Sequence, residues 1–325
     1  MNSTASPFET SYKNYSTAVL VRDTYTKAFM KNLTVVLVWF ILSYINVSVV
    51  VTFFKNQVFY EDPRYILFIH MVINDAIQLT VTIMLFVLSY IFYFINVSFC
   101  CFFMLVAIFT TRNSPLILAC MAIERYIAVC NPLRHAQICT AQRTYVLIGL
   151  TWFLCLVTET SDLFFTLATE SIGFFYTSVF CLRKNVFRAP TLSDKMKALD
   201  CVYFLVVFLT LVYTYLRVLF AARALSSERS SAQKARNTIF LHGIQLLMCV
   251  LSYIYPSVEA VLSTLFPAQL LDIRYSTYLI VYILPRFLSP IIYGVRDTRF
   301  RKYLKRYFVC GLYKVKPTNE DEMGH

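Results

Sequence analysis

The sequence has 325 residues, of which 58% are hydrophobic and 17% aromatic, while only 15% are charged; a typical soluble domain carries roughly 25% charged residues. With a mean hydropathy of +0.61, this composition excludes an ordinary soluble domain. The net charge of +12 falls between and after long apolar runs rather than on a basic face with interleaved aromatics, so the partner it implies is a membrane surface and not nucleic acid.

Roughly the first 30 residues are polar and carry no cleavable signal pattern. They hold two glycosylation sequons, at Asn2 and Asn14. Seven stretches then reach the ~20 mostly apolar residues that a spanning helix needs: Leu33–Phe54, Ile66–Tyr93, Phe99–Val129, Val146–Leu167, Ala198–Ala222, Ile239–Leu265 and Ile273–Val295. Most connections are short, and the longest joins the fourth and fifth stretches. Lysine and arginine are in excess on one side, in the segments holding Lys55, Arg64, Arg134, Arg143, Arg223 and Lys234 and in the tail. That side is therefore cytoplasmic and the amino terminus extracellular, as glycosylation at Asn2 and Asn14 requires.

The predicted fold is an all-α integral membrane protein, a seven-transmembrane helix bundle with a short amphipathic eighth helix. Its parts are an extracellular tail (1–32), the bundle (33–295) and a cytoplasmic amphipathic helix with tail (296–325). In the last part Phe300, Tyr303, Leu304, Tyr307 and Phe308 recur three and four apart, with Arg299, Arg301, Lys302, Lys305 and Arg306 between them. Such a helix lies in the membrane interface with its basic side on anionic lipids. Cys310 beyond it could carry a palmitoyl chain.

Ionisable groups inside spanning helices are costly and suggest function by default. Asp75 lies near the middle of the second stretch, with Asn46 and Asn74 at comparable depth. It serves either as helix–helix glue or as the carboxylate of a sodium site. We expect no cofactor besides such an ion, and no catalysis: the histidines are scattered and form no metal or nucleophile constellation. Arg112 sits well inside the third stretch and must face the bundle. Asp200 is a plausible mate, which leaves two readings: a permanent bridge, or a cation that binds an anionic ligand. At the inner end of the third stretch, Glu124-Arg125-Tyr126 offers an acid as local partner of Arg125, whose release would free a rigid cationic fork.

The run Met121-Ala-Ile-Glu-Arg-Tyr-Ile-Ala-Val-Cys-Asn-Pro-Leu-Arg-His135 resembles the signature of vertebrate odorant receptors, a group of rhodopsin-like G-protein-coupled receptors. Pro285-Arg-Phe-Leu-Ser-Pro-Ile-Ile-Tyr-Gly-Val-Arg296 resembles the seventh-helix motif of that family, and Lys234-Ala-Arg-Asn-Thr238 with Leu241-His242 its entry to helix six. Trp152 and Thr214-Tyr215 also match by position. One departure is Ser289, where the family usually carries Asn; another is the single obvious outer-loop cysteine, Cys181, which with helix six points toward the bony-fish type.

The resemblance implies a disulfide between Cys100 and Cys181, with Cys101 as the neighbouring alternative. It implies a small-ligand chamber in the outer half of the bundle, lined by Met104, Ala107, Ile108, Thr111, Arg112, Asp200, Tyr203, Phe204, Tyr253, Ser257 and Tyr278. It further implies that Glu124, Arg125, Tyr126, Tyr215, His242 and Tyr293 serve activation and G-protein coupling. The expected partners are a small odorant, the lipid bilayer and a stimulatory, olfactory-type G protein that raises cyclic AMP. The expected location is the plasma membrane, in the cilia of olfactory neurons. A non-olfactory receptor of the same class is the alternative; a transporter or channel would need repeated halves or paired broken helices.

Overall fold

The computed structural model describes residues 23–92, 94–224, 269–288 and 300–304, with isolated positions between 244 and 266. Five long helices carry the chain as far as residue 224: α1 Tyr25–Phe54, α2 Pro63–Ile91, α3 Val97–Cys130, α4 Ala141–Thr169 and α5 Pro190–Ala224. Each is long and apolar enough to cross a membrane; at 1.5 Å per residue the shortest spans about 43 Å, against a hydrocarbon core of about 30 Å. The excess explains why α1 starts at Tyr25 rather than Leu33, and α5 at Pro190 rather than Ala198. Apolarity marks the buried length of a membrane helix, while its polar ends continue into the headgroups.

Helix starts follow local chemistry. Asp62 accepts a hydrogen bond from the Arg64 amide at 3.0 Å, with Pro63 in the first helical position. Asn96 accepts from the Ser98 amide at 3.0 Å and so opens α3. Each side chain satisfies a donor that the first helical turn leaves without an intrahelical partner. Between α3 and α4 a short helix, Pro132–Ile138, crosses the inner side.

The expected sixth span lies largely outside the described residues. The seventh begins as the α-helix Leu270–Thr277, widens into a π-helical stretch, Tyr278–Ile283, and continues helical to residue 288.

Helix α3 is the central strut, packed against α2, α4 and α5, while α1 lies on α2. Apolar side chains face outward as well as inward. Phe40, Ile41 and Tyr44 on α1, Phe153 and Leu154 on α4, and Leu205, Val206 and Leu209 on α5 are all exposed. A continuous outer belt of this kind is tolerable only in lipid. Inside, Phe53, Phe59, Tyr65, Ile66 and Phe68 form an inner-side core.

Phe300 closes that core from the far end of the chain. It packs edge-on to Phe59 (5.3 Å between ring centroids) and Phe68 (5.7 Å), and is almost fully buried. Arg301 and Lys302 beside it are exposed. The described residues of the eighth helix thus carry the apolar and basic faces read from the sequence.

Candidate functional site

At the outer end, the strand β1 (Ile95–Asn96) pairs antiparallel with β2 (Ser178–Val179), aligning Ile95 with Val179. The Ser98 hydroxyl donates to the Phe175 carbonyl at 2.8 Å. A disulfide joins Cys100 to Cys181 across 81 residues, with the Cα atoms 5.8 Å apart, while Cys101 stays a buried free thiol. Ile95, Cys100, Val186, Phe187 and Leu192 pack beneath this seam. The long connection is therefore fastened to the top of α3 as a roof.

Beneath it, Arg112 is buried between two carboxylates. Its Nε donates to Asp200 Oδ1 at 3.0 Å, and its Nη1 is paired with Glu159 of α4. The Arg112–Asp200 contact was anticipated; Glu159 was not, although a carboxylate inside an apolar run was its signal. Asp162, one turn further along α4, is equally buried and holds Arg183 at 2.7 Å and Lys195 at 2.5 Å. A chain of charges thus runs from mid-membrane to the roof, tying α3, α4 and α5 together. Because two carboxylates already neutralise Arg112, an anionic ligand would add a third negative charge around one cation.

The remaining pocket candidates divide between two sides of α3. Met104 packs under the roof, and Phe204 stacks on Phe208 at 5.5 Å. Ala107, Ile108 and Tyr203 are half-buried. Thr111 instead faces α2, where its hydroxyl accepts from Gln78 Nε2 at 2.6 Å. Tyr278 lies on the same side, stacked on Phe86 at 5.0 Å with its hydroxyl 3.4 Å from that of Thr82. Tyr253 and Ser257 lie outside the described residues, as do Asn2, Asn14, His242, Ser289, Tyr293 and Cys310.

A second polar cluster surrounds Asp75. Ser114 Oγ donates to Asp75 Oδ1 at 2.8 Å, Asn74 Nδ2 donates to Ser114 Oγ at 2.7 Å, and Asn113 Nδ2 donates to Asn74 Oδ1 at 3.0 Å. Asn46 is buried, and its amide nitrogen has no hydrogen-bond partner among the described residues. Arg286 of the seventh helix is also buried here and donates to Gln78 Oε1 at 2.7 Å. In the sequence it stands out only as part of the Pro285 motif.

At the inner end one expectation is corrected. Glu124 does not partner Arg125; its Oε1 lies 3.0 Å from His135 Nε2 on the connecting helix. Neighbouring residues on a helix point about 100° apart and do not face each other, so the acid turns toward the linker while Arg125 remains half-buried. Tyr126 meets Tyr213 of α5 edge-on at 5.8 Å, and Tyr215 is half-buried nearby in sequence.

A bundle of apolar helices, a disulfide-fastened outer loop and an arginine at the inner end of the central helix define a seven-helix receptor. Residues 45–293 match the family described as 7 transmembrane receptor (rhodopsin family). The chain is 32% identical to Odorant receptor 131-2 of Danio rerio over 88% of both chains. It is 26% identical to the human Olfactory receptor 51V1 over 61% of this chain and 62% of that one. With the human Olfactory receptor 51D1 it shares 30% identity over 55% and 56%. The chain belongs to the rhodopsin family of seven-transmembrane receptors and, within it, to the odorant receptors. It is a membrane receptor and not an enzyme.

Proposed function

We propose that the chain binds a small odorant beneath the outer roof and couples to a stimulatory, olfactory-type G protein, raising cyclic AMP in the cilia of olfactory neurons. The match along 88% of the chain with a receptor named for odorants is the observation that carries this reading. A small ligand suits the architecture, because the outer loop is pinned to α3 and α5 begins directly behind it. Pockets of this kind are concave, mostly apolar and sparing in polar groups, and Met104, Ala107, Ile108, Tyr203 and Phe204 supply such walls.

Signalling follows from a population shift. An odorant that binds one helix arrangement more tightly than another moves the equilibrium by its differential affinity alone. The readout surface is the inner end of α3 and α5, where Arg125, Tyr126 and Tyr215 stand. With Glu124 engaged by His135, freeing Arg125 does not require breaking a pair with Glu124, and its exposure to the G protein depends on helix movement. The bridge Arg112–Asp200 serves the bundle, and the odorant is uncharged or cationic rather than anionic.

The test is expression with an olfactory G protein and measurement of cyclic AMP against pooled water-soluble odorants, with surface staining. We expect at least one responding pool and loss of that response in Arg125→Ala at equal surface level. Silence of a surface-expressed receptor with the olfactory G protein, but response with another, would move the reading to a non-olfactory receptor of the same class.

A further inference from the structure

Asp75, a carboxylate near the middle of a membrane-spanning helix, is the position the sequence offers for a sodium ion. The described groups around it do not fit an added cation. Asp75 and Gln78 lie one turn apart on one face of α2, and the Gln78 side-chain oxygen accepts from Arg286 Nη2 at 2.7 Å. A second guanidinium nitrogen, Nη1, donates to the Val281 carbonyl at 2.9 Å. That carbonyl belongs to the π-helical stretch Tyr278–Ile283, in which widened turns shift carbonyls out of the ordinary ladder. Arg286 is thus held by two directed bonds in a buried position, its guanidinium on the Gln78 side chain one turn from Asp75. The Ser114 hydroxyl donates to Asp75 at 2.8 Å and its oxygen accepts from Asn74 Nδ2 at 2.7 Å, so it is engaged by protein groups on both sides.

A buried carboxylate that stays ionised needs a counter-charge, and a sodium ion and a guanidinium competing for one carboxylate repel each other strongly in a low-dielectric interior. We propose that Arg286 is the resident cation of the Asp75 site, taking the place of sodium and tying the seventh helix to α2 and α3 through Gln78. Unlike a diffusible ion, this cation is covalently part of the helix that carries it. The helix cannot move away from α2 without separating buried charges, and extracellular sodium has no hold on the equilibrium. Arg286 is accordingly a positioning residue of the bundle, whatever ligand the receptor binds.

The experiment uses the full-length receptor, purified in lipid nanodiscs without ligand, and records its melting temperature in isotonic sodium chloride and in choline chloride. The wild type is expected to melt at the same temperature in both. Arg286→Gln, which leaves Asp75 uncompensated, is expected to melt several degrees lower in choline and to recover in sodium. In Asp75→Asn/Arg286→Gln neither salt should be preferred, and the double variant should be more stable in choline than Arg286→Gln alone. A wild type stabilised specifically by sodium, with that effect lost in Asp75→Asn, overturns the proposal, and needs no Arg286 variant to fold. So does an Arg286→Gln protein that melts alike in both salts and gains nothing from Asp75→Asn.

Discussion

Arg112 illustrates how a single buried charge is decided by its surroundings. Its partners Glu159 and Asp200 come from two different helices, so removing the guanidinium leaves two carboxylates without compensation. Breaking a buried pair from one side costs about 3–5 kcal/mol, whereas replacing all partners by apolar groups can be neutral. We therefore expect Arg112→Ala to reduce surface expression and melting temperature for the ligand-free receptor. The triple replacement Arg112→Met, Glu159→Leu, Asp200→Leu should regain much of the loss. Normal surface expression of Arg112→Ala with selective loss of anionic agonists would instead return Arg112 to the ligand site. Glu159 was readable as a charge within an apolar run; which helix it met was not, because residue spacing along α4 says nothing about the rotation of α3.

Among the elements, the terminal helix and the roof were the most predictable, since both announce themselves locally: one by three-and-four spacing of aromatics, the other by a cysteine in a long polar connection. Their partners were not. Phe300 reaches Phe59 and Phe68, more than 230 residues earlier, and shares their core. Phe300→Ala should cost about 3–5 kcal/mol, seen as a lower melting temperature, while Lys302→Ala on the exposed side should leave it unchanged. An equal effect of the two would mean that the aromatic contact does not hold the helix. The π-helical widening of the seventh stretch had no signal in composition. It matters because it turns the Val281 carbonyl toward Arg286.

Across the receptor, the two outer ends of the described bundle are joined by charge. Lys31 of α1 lies 2.6 Å from Asp23 and 2.6 Å from Asp272 at the start of the seventh helix, and Asp23 also accepts from the Tyr90 hydroxyl of α2 at 3.2 Å. The hydrogen bond from Lys31 holds the Asp272 carboxyl below its usual value of 3.8, with burial opposing. A carboxylate whose folded value is depressed stabilises the fold above its unfolded pKa, and that contribution is lost as pH falls through the folded value. The tie should accordingly be intact at neutral pH and weaken below about pH 4. A melting-temperature series across that window should show a steeper acid loss for the wild type than for Asp272→Asn; parallel curves would remove the tie from the account. The effect will be modest, because Asp272 is half exposed and water screens it.

Composition alone established that the chain lives in a membrane, since backbone groups in lipid must be satisfied within each segment and long apolar runs leave only helices. Motifs such as Glu124-Arg125-Tyr126 and Pro285–Arg296 carried the family, because they are contiguous and need no folding to be read. What tertiary packing decided was pairing: Glu124 with His135 instead of Arg125, Arg112 with Glu159 as well as Asp200, Arg286 with Gln78 beside Asp75. Buried charges choose partners by distance across helices, and in a low-dielectric interior that choice fixes which groups are free to bind a ligand and which only hold the bundle together.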